Sequence, residues 1–180
     1  SFAVSTDETR YNINGFLLEK SENRIKMVAT DGHRLALIEK EDGNIAQKEG
    51  VLLPRKGVME MRKVLDEKEG EFFLGITQKN AVMKKDNTVI TIRLLEGEFP
   101  DYTKVIPKDN DKDAVAQKET LLASLKRVSI LSSDKIKGVK FSFSKSKLVL
   151  SSSSPDIGDA MEEVDIDYSE DEIEIAFNAR

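Results

Sequence analysis

The chain has 180 residues, which gives room for one large domain or two small ones. Charged residues make up 34% of it and hydrophobic residues 39%, so we expect a core beneath a highly charged surface. The absence of cysteine excludes disulfides and thiolate metal sites. No stretch approaches the roughly 20 apolar residues that a membrane-spanning helix needs, and no signal-peptide pattern is visible.

The net charge of −5 argues by itself against a nucleic-acid binder, because such domains usually carry a basic excess. The distribution of charge matters more than the sum. Acidic residues form runs such as Glu162-Glu163 and Glu170-Asp171-Glu172, while basic residues gather elsewhere. An acidic outside with one basic inner face is therefore compatible with this composition.

Apolar and polar residues alternate with a period of two in residues 90–94, 141–144, 164–168 and 173–177. This period places one face of each strand on a core and the other in water. Polar turns separate the runs, so the pattern predicts a set of antiparallel hairpins.

Two stretches, residues 56–66 and 119–132, have apolar residues at helical spacing instead. Both predict amphipathic helices packed on sheet. Basic residues fall between the apolar ones: Arg62 and Lys63 in the first stretch, Lys126 and Arg127 in the second. A solvated face explains these basic residues as well as a binding face does at this point.

Residues 100–117 are the best linker candidate, since they hold two prolines and the charged run 108–113, and we place a domain boundary near Ile106. The sequence also contains a weak internal repeat. Aligning Gly15 with Gly138 brings Ile25 onto Leu148, and each copy follows a possible helix end, at residues 1–5 and 128–132. The repeat suggests two copies of one α+β unit.

The segment from Val28 to Ala36 reads as a strand, a tight polar turn and a second strand, with Gly32 free to adopt positive φ in the turn. Catalysis by His33 with Asp31 is the functional interpretation. It has little support, because the chain has a single histidine and no nucleophile elbow. It also has no second ligand at a metal-binding spacing from His33. The alternative is a hairpin in which His33 and Arg34 hydrogen-bond across the turn.

This segment resembles the signature of the bacterial sliding clamp family, the beta subunit of the replicative polymerase. Further stretches resemble other landmarks of the family, in the family's order: residues 10–15, 53–57, 95–102, 127–132 with Gly138-Val139, and Phe177-Asn178. The resemblance implies an α+β sliding-clamp fold, with antiparallel sheets outside and two amphipathic helices lining a concave face. It further implies a chain truncated at both ends. Residues 1–106 would be the middle clamp domain, lacking its first strand and most of its first helix, and residues 107–180 the first half of the C-terminal domain.

The resemblance also implies a function without catalysis, metal or cofactor. Such proteins close as a head-to-tail homodimer around double-stranded DNA and tether the replicative polymerase, the clamp loader and repair proteins through short apolar motifs. The expected location is the bacterial cytoplasm, at the nucleoid, with no membrane contact. The residues expected to face DNA are Arg10, Tyr11, Arg55, Lys56, Lys63, Lys126 and Arg127.

The expected partner pocket lies between the middle and third domains of the family, and the rest of its wall would come from the missing end of the third domain. Lys104 stands where many relatives carry arginine, which weakens any bidentate contact there. By correspondence with the family, the pocket residues are Ile13, Thr30, Gly32, His33, Arg34, Leu35, Pro100, Lys104 and Val105.

Two other functions stay open from the sequence. An enzyme would need carboxylates with strongly shifted pKa values in one pocket. A protein-interaction module of α+β type without a DNA role would show the basic residues of the two helices pointing in scattered directions, whereas a clamp would show them on one hollow face.

Overall fold

The computed structural model describes residues 2–7, 9–21, 23–41, 50–67, 70–132 and 138–178. Its contacts divide the chain into two compact units, Ser1–Val105 and Ile106–Arg180. The first unit contains β1 (Gly15–Ser21), β2 (Arg24–Thr30), β3 (Leu35–Glu41), β4 (Val51–Pro54), α1 (Arg55–Glu67), β5 (Phe73–Ile76), β6 (Asn80–Lys85) and β7 (Thr88–Arg93). The second contains β8 (Val115–Ala116), α2 (Lys118–Ile130), β9 (Gly138–Ser144), β10 (Lys147–Ser154), β11 (Gly158–Asp167) and β12 (Ile173–Asn178).

All strand pairs in the described residues are antiparallel, as the period-two pattern predicts. The first unit has a four-stranded sheet in the order β3-β2-β1-β4 and a three-stranded sheet in the order β5-β6-β7. The second unit has one five-stranded sheet in the order β12-β9-β10-β11-β8. The prediction of an α+β fold with two helices is confirmed.

The core of the first unit lies between its two sheets and α1. Phe16, Leu53, Met61 and Met83 are buried there, and they come from β1, β4, α1 and β6. α1 lies close to β7, since a Cβ atom on Gly57 would come within 2.5 Å of Ile92 Cγ2. A glycine in the first turn of the helix is what allows this approach.

The C-terminal end of α1 is held by a buried lysine. Lys85 of β6 is only 4% exposed. Its ammonium group donates to the carbonyl oxygens of Val64 and Leu65, at 3.3 and 3.2 Å. A cation here meets both the unpaired carbonyls and the negative end of the helix dipole.

The core of the second unit lies beneath α2. Val128 of the helix packs with Val139, Leu148, Leu150 and Val164 of the central strands, and all five are at most 2% exposed. The burial prediction for β12 is wrong: its apolar residues at 173, 175 and 177 are 38–48% exposed. β12 is an edge strand, and α2 packs on β9, β10 and β11 instead.

The internal repeat is visible in the strands. β1 and β9 begin at the aligned glycines, Gly15 and Gly138, and both run for seven residues. The strands that follow, β2 and β10, also begin at aligned positions, Arg24 and Lys147. The expected helix end before the first copy is absent from the described part of it: residues 2–4 form a turn, and Ser1 lies outside the described residues.

Candidate functional site

A cavity of about 310 Å³ opens in the first unit, where three segments meet. These segments are the short 3-10 turn Tyr11–Ile13 with the residue before it, the β2–β3 hairpin, and the stretch after Phe99. Apolar atoms contribute most of its lining, with polar groups among them. The lining residues are Arg10, Ile13, Thr30, Gly32, His33, Arg34, Leu35, Pro100, Asp101, Tyr102 and Val105.

Asp31 fixes the shape of the hairpin wall. Its Oδ1 accepts the backbone N–H groups of His33 and Arg34 at 2.9 and 3.0 Å, and its Oδ2 accepts the Arg34 guanidinium at 2.9 Å. Burial opposes ionisation of Asp31, but these hydrogen bonds outweigh it and lower the pKa. Gly32 takes a φ of +90° in the turn, as its position predicts.

The wall formed by residues 100–105 is anchored by a buried tyrosine. The Tyr102 hydroxyl donates a hydrogen bond to the Glu19 carboxylate on β1. Burial, followed by the adjacent Glu19, raises the pKa of Tyr102 to about 12. Asp101 caps the short turn by accepting from Thr103, and it also pairs with Lys104 at 3.0 Å. Lys104 points to this partner and does not line the cavity.

Arg10 belongs to the cavity as well. Its Nη1 lies 3.2 Å from the Asp31 carbonyl oxygen, and the guanidinium covers Gly32, whose added Cβ would come within 3.0 Å of Nη2. Neighbouring Tyr11 is 60% exposed and lies against Gly97. The family resemblance predicts that Arg10 faces DNA. Its observed contacts are with the β2–β3 hairpin.

The basic residues predicted on α1 are all exposed. Lys63 pairs with Glu60 of the same helix at 2.8 Å. Arg55 and Lys56, at the start of the helix, form no ion pair with any residue that the structure describes. The first turn of α1 thus carries two adjacent cations that no carboxylate in the described part of the chain pairs with.

The two basic residues of α2 differ in their surroundings. Lys126 is exposed and has no ion pair within the described residues. Arg127 forms a bidentate ion pair with Glu162 of β11, and it donates a further hydrogen bond to Ser124. The hydrogen bonds from Arg127 and then Ser124 lower the pKa of Glu162 to about 2.

The two faces of β11 differ in charge and burial. Val164 and Ile166 are buried under α2, on one side of the strand. The residues that alternate with them are exposed and mostly acidic: Asp159, Met161, Glu163, Asp165 and Asp167. The face away from the helix is consequently negative.

The two carboxyl groups of the cavity wall do not have the raised pKa values of a general acid. The pKa values of Asp31 and Asp101 are both lowered, so neither carboxyl holds a proton at neutral pH. In the ranges that the structure covers, no group of three or more His, Asp or Glu side chains is arranged to hold a metal ion. Nor does any helix in those ranges have the length and apolarity to cross a membrane.

Comparison with known families accounts for both units. Residues 1–101 match the central domain of the DNA polymerase III beta subunit, and residues 103–180 match its C-terminal domain. The chain belongs to the DNA polymerase III beta subunit family.

Individual relatives of this family are similar over nearly the whole chain. The beta sliding clamp of Pseudomonas putida is 36% identical over 184 residues, covering 99% of this chain and 49% of the relative. A crystal structure of the DNA polymerase sliding clamp from Pseudomonas aeruginosa matches with a TM-score of 0.94 at 34% identity, over 99% of this chain and 50% of that one. The Bartonella birtlesii sliding clamp, crystallised bound to griselimycin, matches with a TM-score of 0.92 at 34% identity, over 99% of this chain and 50% of that one.

The chain spans about half the length of the curated relatives it matches. Within that half, the beta subunit motifs at residues 10–15, 28–36 and 95–102 contribute most of the cavity lining. Sequence reasoning did not include Arg10, Asp101 and Tyr102 in the pocket. Asp101 and Tyr102 directly follow Pro100 in the same motif, which is the signal that could have found them.

Proposed function

We propose that this protein acts as a sliding clamp, a processivity factor that encircles duplex DNA and tethers a polymerase and other replication and repair proteins to it. The role requires no catalysis and no cofactor. The observation that carries the proposal is the cavity in a member of the beta subunit family: every residue expected in its wall, except Lys104, lines it. The closed homodimeric ring and the clamp loader belong to the same proposal.

The cavity suits a short apolar segment of a partner. Ile13 is buried at its base, Leu35 is half-buried, and Val105 is 67% exposed at its rim. Aliphatic walls with a few fixed polar groups are typical of linear-motif sites. The polar groups here are held in place by Asp31, so a bound peptide would meet a preformed surface.

The exposed cations of the helices suit sequence-independent contact with DNA. Arg55, Lys56 and Lys126 have no ion pair in the described residues, so their charge is available to phosphates. Contacts of this kind hold the duplex without reading bases, and they weaken as salt rises. A clamp needs this combination because it must slide.

Griselimycin is a suitable probe, since a relative was crystallised bound to it, and we propose this cavity as its site in the present chain. We expect the chain to bind griselimycin in a calorimetric titration, and Val105→Glu to weaken binding by about tenfold or more, because a carboxylate at an apolar wall loses about 1.4 kcal/mol or more. Leu35→Glu should act in the same direction.

Ile38→Glu is the matched control, because Ile38 lies on the same strand as Leu35, is 55% exposed and does not line the cavity. It should bind griselimycin as the unchanged chain does. Equal affinity for Val105→Glu and Ile38→Glu would remove the pocket from the proposal.

The DNA contact is tested separately with the double variant Arg55→Glu/Lys56→Glu. We expect it to reduce the affinity for a fluorescent duplex, measured by anisotropy across a salt series of about 50–200 mM. Arg93→Glu is the control, because Arg93 alternates with the buried Ile92 that contacts α1 and so lies on the other face of β7. Griselimycin binding without salt-dependent DNA binding would indicate an interaction module with no DNA role.

A further inference from the structure

Arg127 is held by its surroundings more firmly than the other basic residues of the two helices. Its Nε donates to Glu162 Oε1, and its Nη2 donates to Glu162 Oε2 at 2.6 Å. The same Nη2 lies 3.2 Å from Ser124 Oγ. Two parallel bonds from a planar guanidinium to a carboxylate are the strong form of this ion pair.

Glu162 is the less exposed member of the pair: its side chain is 25% exposed, whereas that of Arg127 is 59% exposed. The pKa of Glu162 is far below neutral, and the carboxylate stays charged wherever the protein functions. On the surface of α2 the pair contributes no net charge, and the cations without an ion pair in the described part of that helix are Lys118 and the adjacent Lys126.

We propose that Glu162 determines how strongly the second unit holds duplex DNA, by keeping Arg127 in a neutral pair and leaving phosphate contact at this point of the helix to the adjacent Lys126. The inference rests on the proposed function, since it concerns the same DNA contact. It also changes the expected role of Arg127, which becomes a paired residue rather than a phosphate ligand.

A weaker contact between the second unit and duplex DNA favours sliding along the DNA. Each additional phosphate contact releases counterions and steepens the dependence of log affinity on log salt by about 0.9. Releasing Arg127 would add one such contact. Because an ion pair at a surface is broken at modest expense, the gain in affinity should be about two- to fivefold.

The test compares two variants that make the same chemical change on neighbouring residues. Glu162→Gln removes the partner of Arg127, and Glu163→Gln removes one carboxylate from the opposite face of β11, where Glu163 pairs with Lys147 at 2.7 Å. Both raise the net charge by one. Duplex affinity is measured by anisotropy from about 50 to 200 mM salt, where a charge on the far face is largely screened.

We expect Glu162→Gln to raise the affinity about two- to fivefold and to steepen the salt dependence by about 0.9. Glu163→Gln should leave both quantities unchanged at the upper end of the salt range. Adding Arg127→Gln to Glu162→Gln should return the salt dependence to its original slope. Circular dichroism of each variant verifies that the fold is retained.

Two results would overturn the inference while the proposed function stands: equal effects of Glu162→Gln and Glu163→Gln, or a steeper slope that persists in the double variant. A different result, no salt-dependent binding by the unchanged chain, would instead reject the DNA contact itself. Failure of the inference and failure of the proposed function are thus distinguished by the behaviour of the unchanged chain.

Discussion

Replacing Tyr102 with phenylalanine removes one hydroxyl from the wall of the cavity and nothing else. In the structure this hydroxyl donates to the carboxylate of Glu19, and Tyr102 itself is buried. A hydrogen bond to a charged group contributes about 1.5–3 kcal/mol to stability. Glu19 is only half-buried and can bind water in its place, so we expect a loss near the lower value. About 1.4 kcal/mol corresponds to a tenfold change in the equilibrium between closed and open states.

Hydrogen exchange followed by mass spectrometry resolves this loss in the correct unit. Backbone amides of β1 and β2 should exchange about tenfold faster in Tyr102→Phe, while those of β9–β11 should be unchanged. Tyr168→Phe is the matched control, because the Tyr168 hydroxyl donates to the Asp171 carbonyl within the second unit and its loss should affect only β9–β11.

The same variant has a pH signature. The pKa of Tyr102 is raised to about 12 in the fold from an ordinary 10, so the protonated hydroxyl is favoured by folding. The stabilisation is fully present below pH 10 and is lost as pH rises through 12. The stability difference between the unchanged chain and Tyr102→Phe should therefore shrink above pH 10. A difference that stays constant up to pH 12, or exchange rates that do not change, would refute the assigned hydrogen bond.

Two further substitutions test the packing of the first unit by urea unfolding followed with circular dichroism. Gly15→Ala should destabilise by about 1–3 kcal/mol, because its Cβ would meet the Leu53 carbonyl oxygen at 2.4 Å; Gly75→Ala, with its nearest contact at 3.9 Å, should show no such overpacking loss. Lys85→Met should destabilise by about 1–3 kcal/mol, because the last turn of α1 loses its donor, whereas Lys84→Met on the exposed side of the strand should have little effect.

Periodicity predicted β7, β9, β11, β12 and both helices, because the spacing of apolar residues reports which side of an element is apolar. It could not predict whether another element covers that side. β12 illustrates the difference: Ile175 and Phe177 alternate as core residues do, yet the strand lies at the edge of its sheet and remains exposed. Coverage depends on the tertiary position of α2, which local spacing does not contain.

The pocket was predicted from motifs rather than from spacing. Motifs do not specify which side chains contact one another, so the detailed contacts could not be predicted. Lys104 was expected in the wall because of its position in the sequence. Its ammonium group instead pairs with the carboxylate of Asp101, three residues earlier. The pair of Arg127 and Glu162 joins residues 35 apart in the chain. Such a pair depends on how α2 lies across β11, so it became visible only in three dimensions.

The sorting of charge in the second unit follows from the same alternation that forms its core. Val164 and Ile166 must face α2 for the core to form, and this requirement places Glu163 and Asp165 on the opposite face. A shift of β11 by one residue would bury the carboxylates beneath the helix, which the free energy of ion burial forbids. The negative face therefore cannot move to the helix side without unfolding the unit. Hydrophobic burial in this way fixes where Glu163 and Asp165 lie, while Glu162, on the helix side of the same strand, is held by Arg127 of α2.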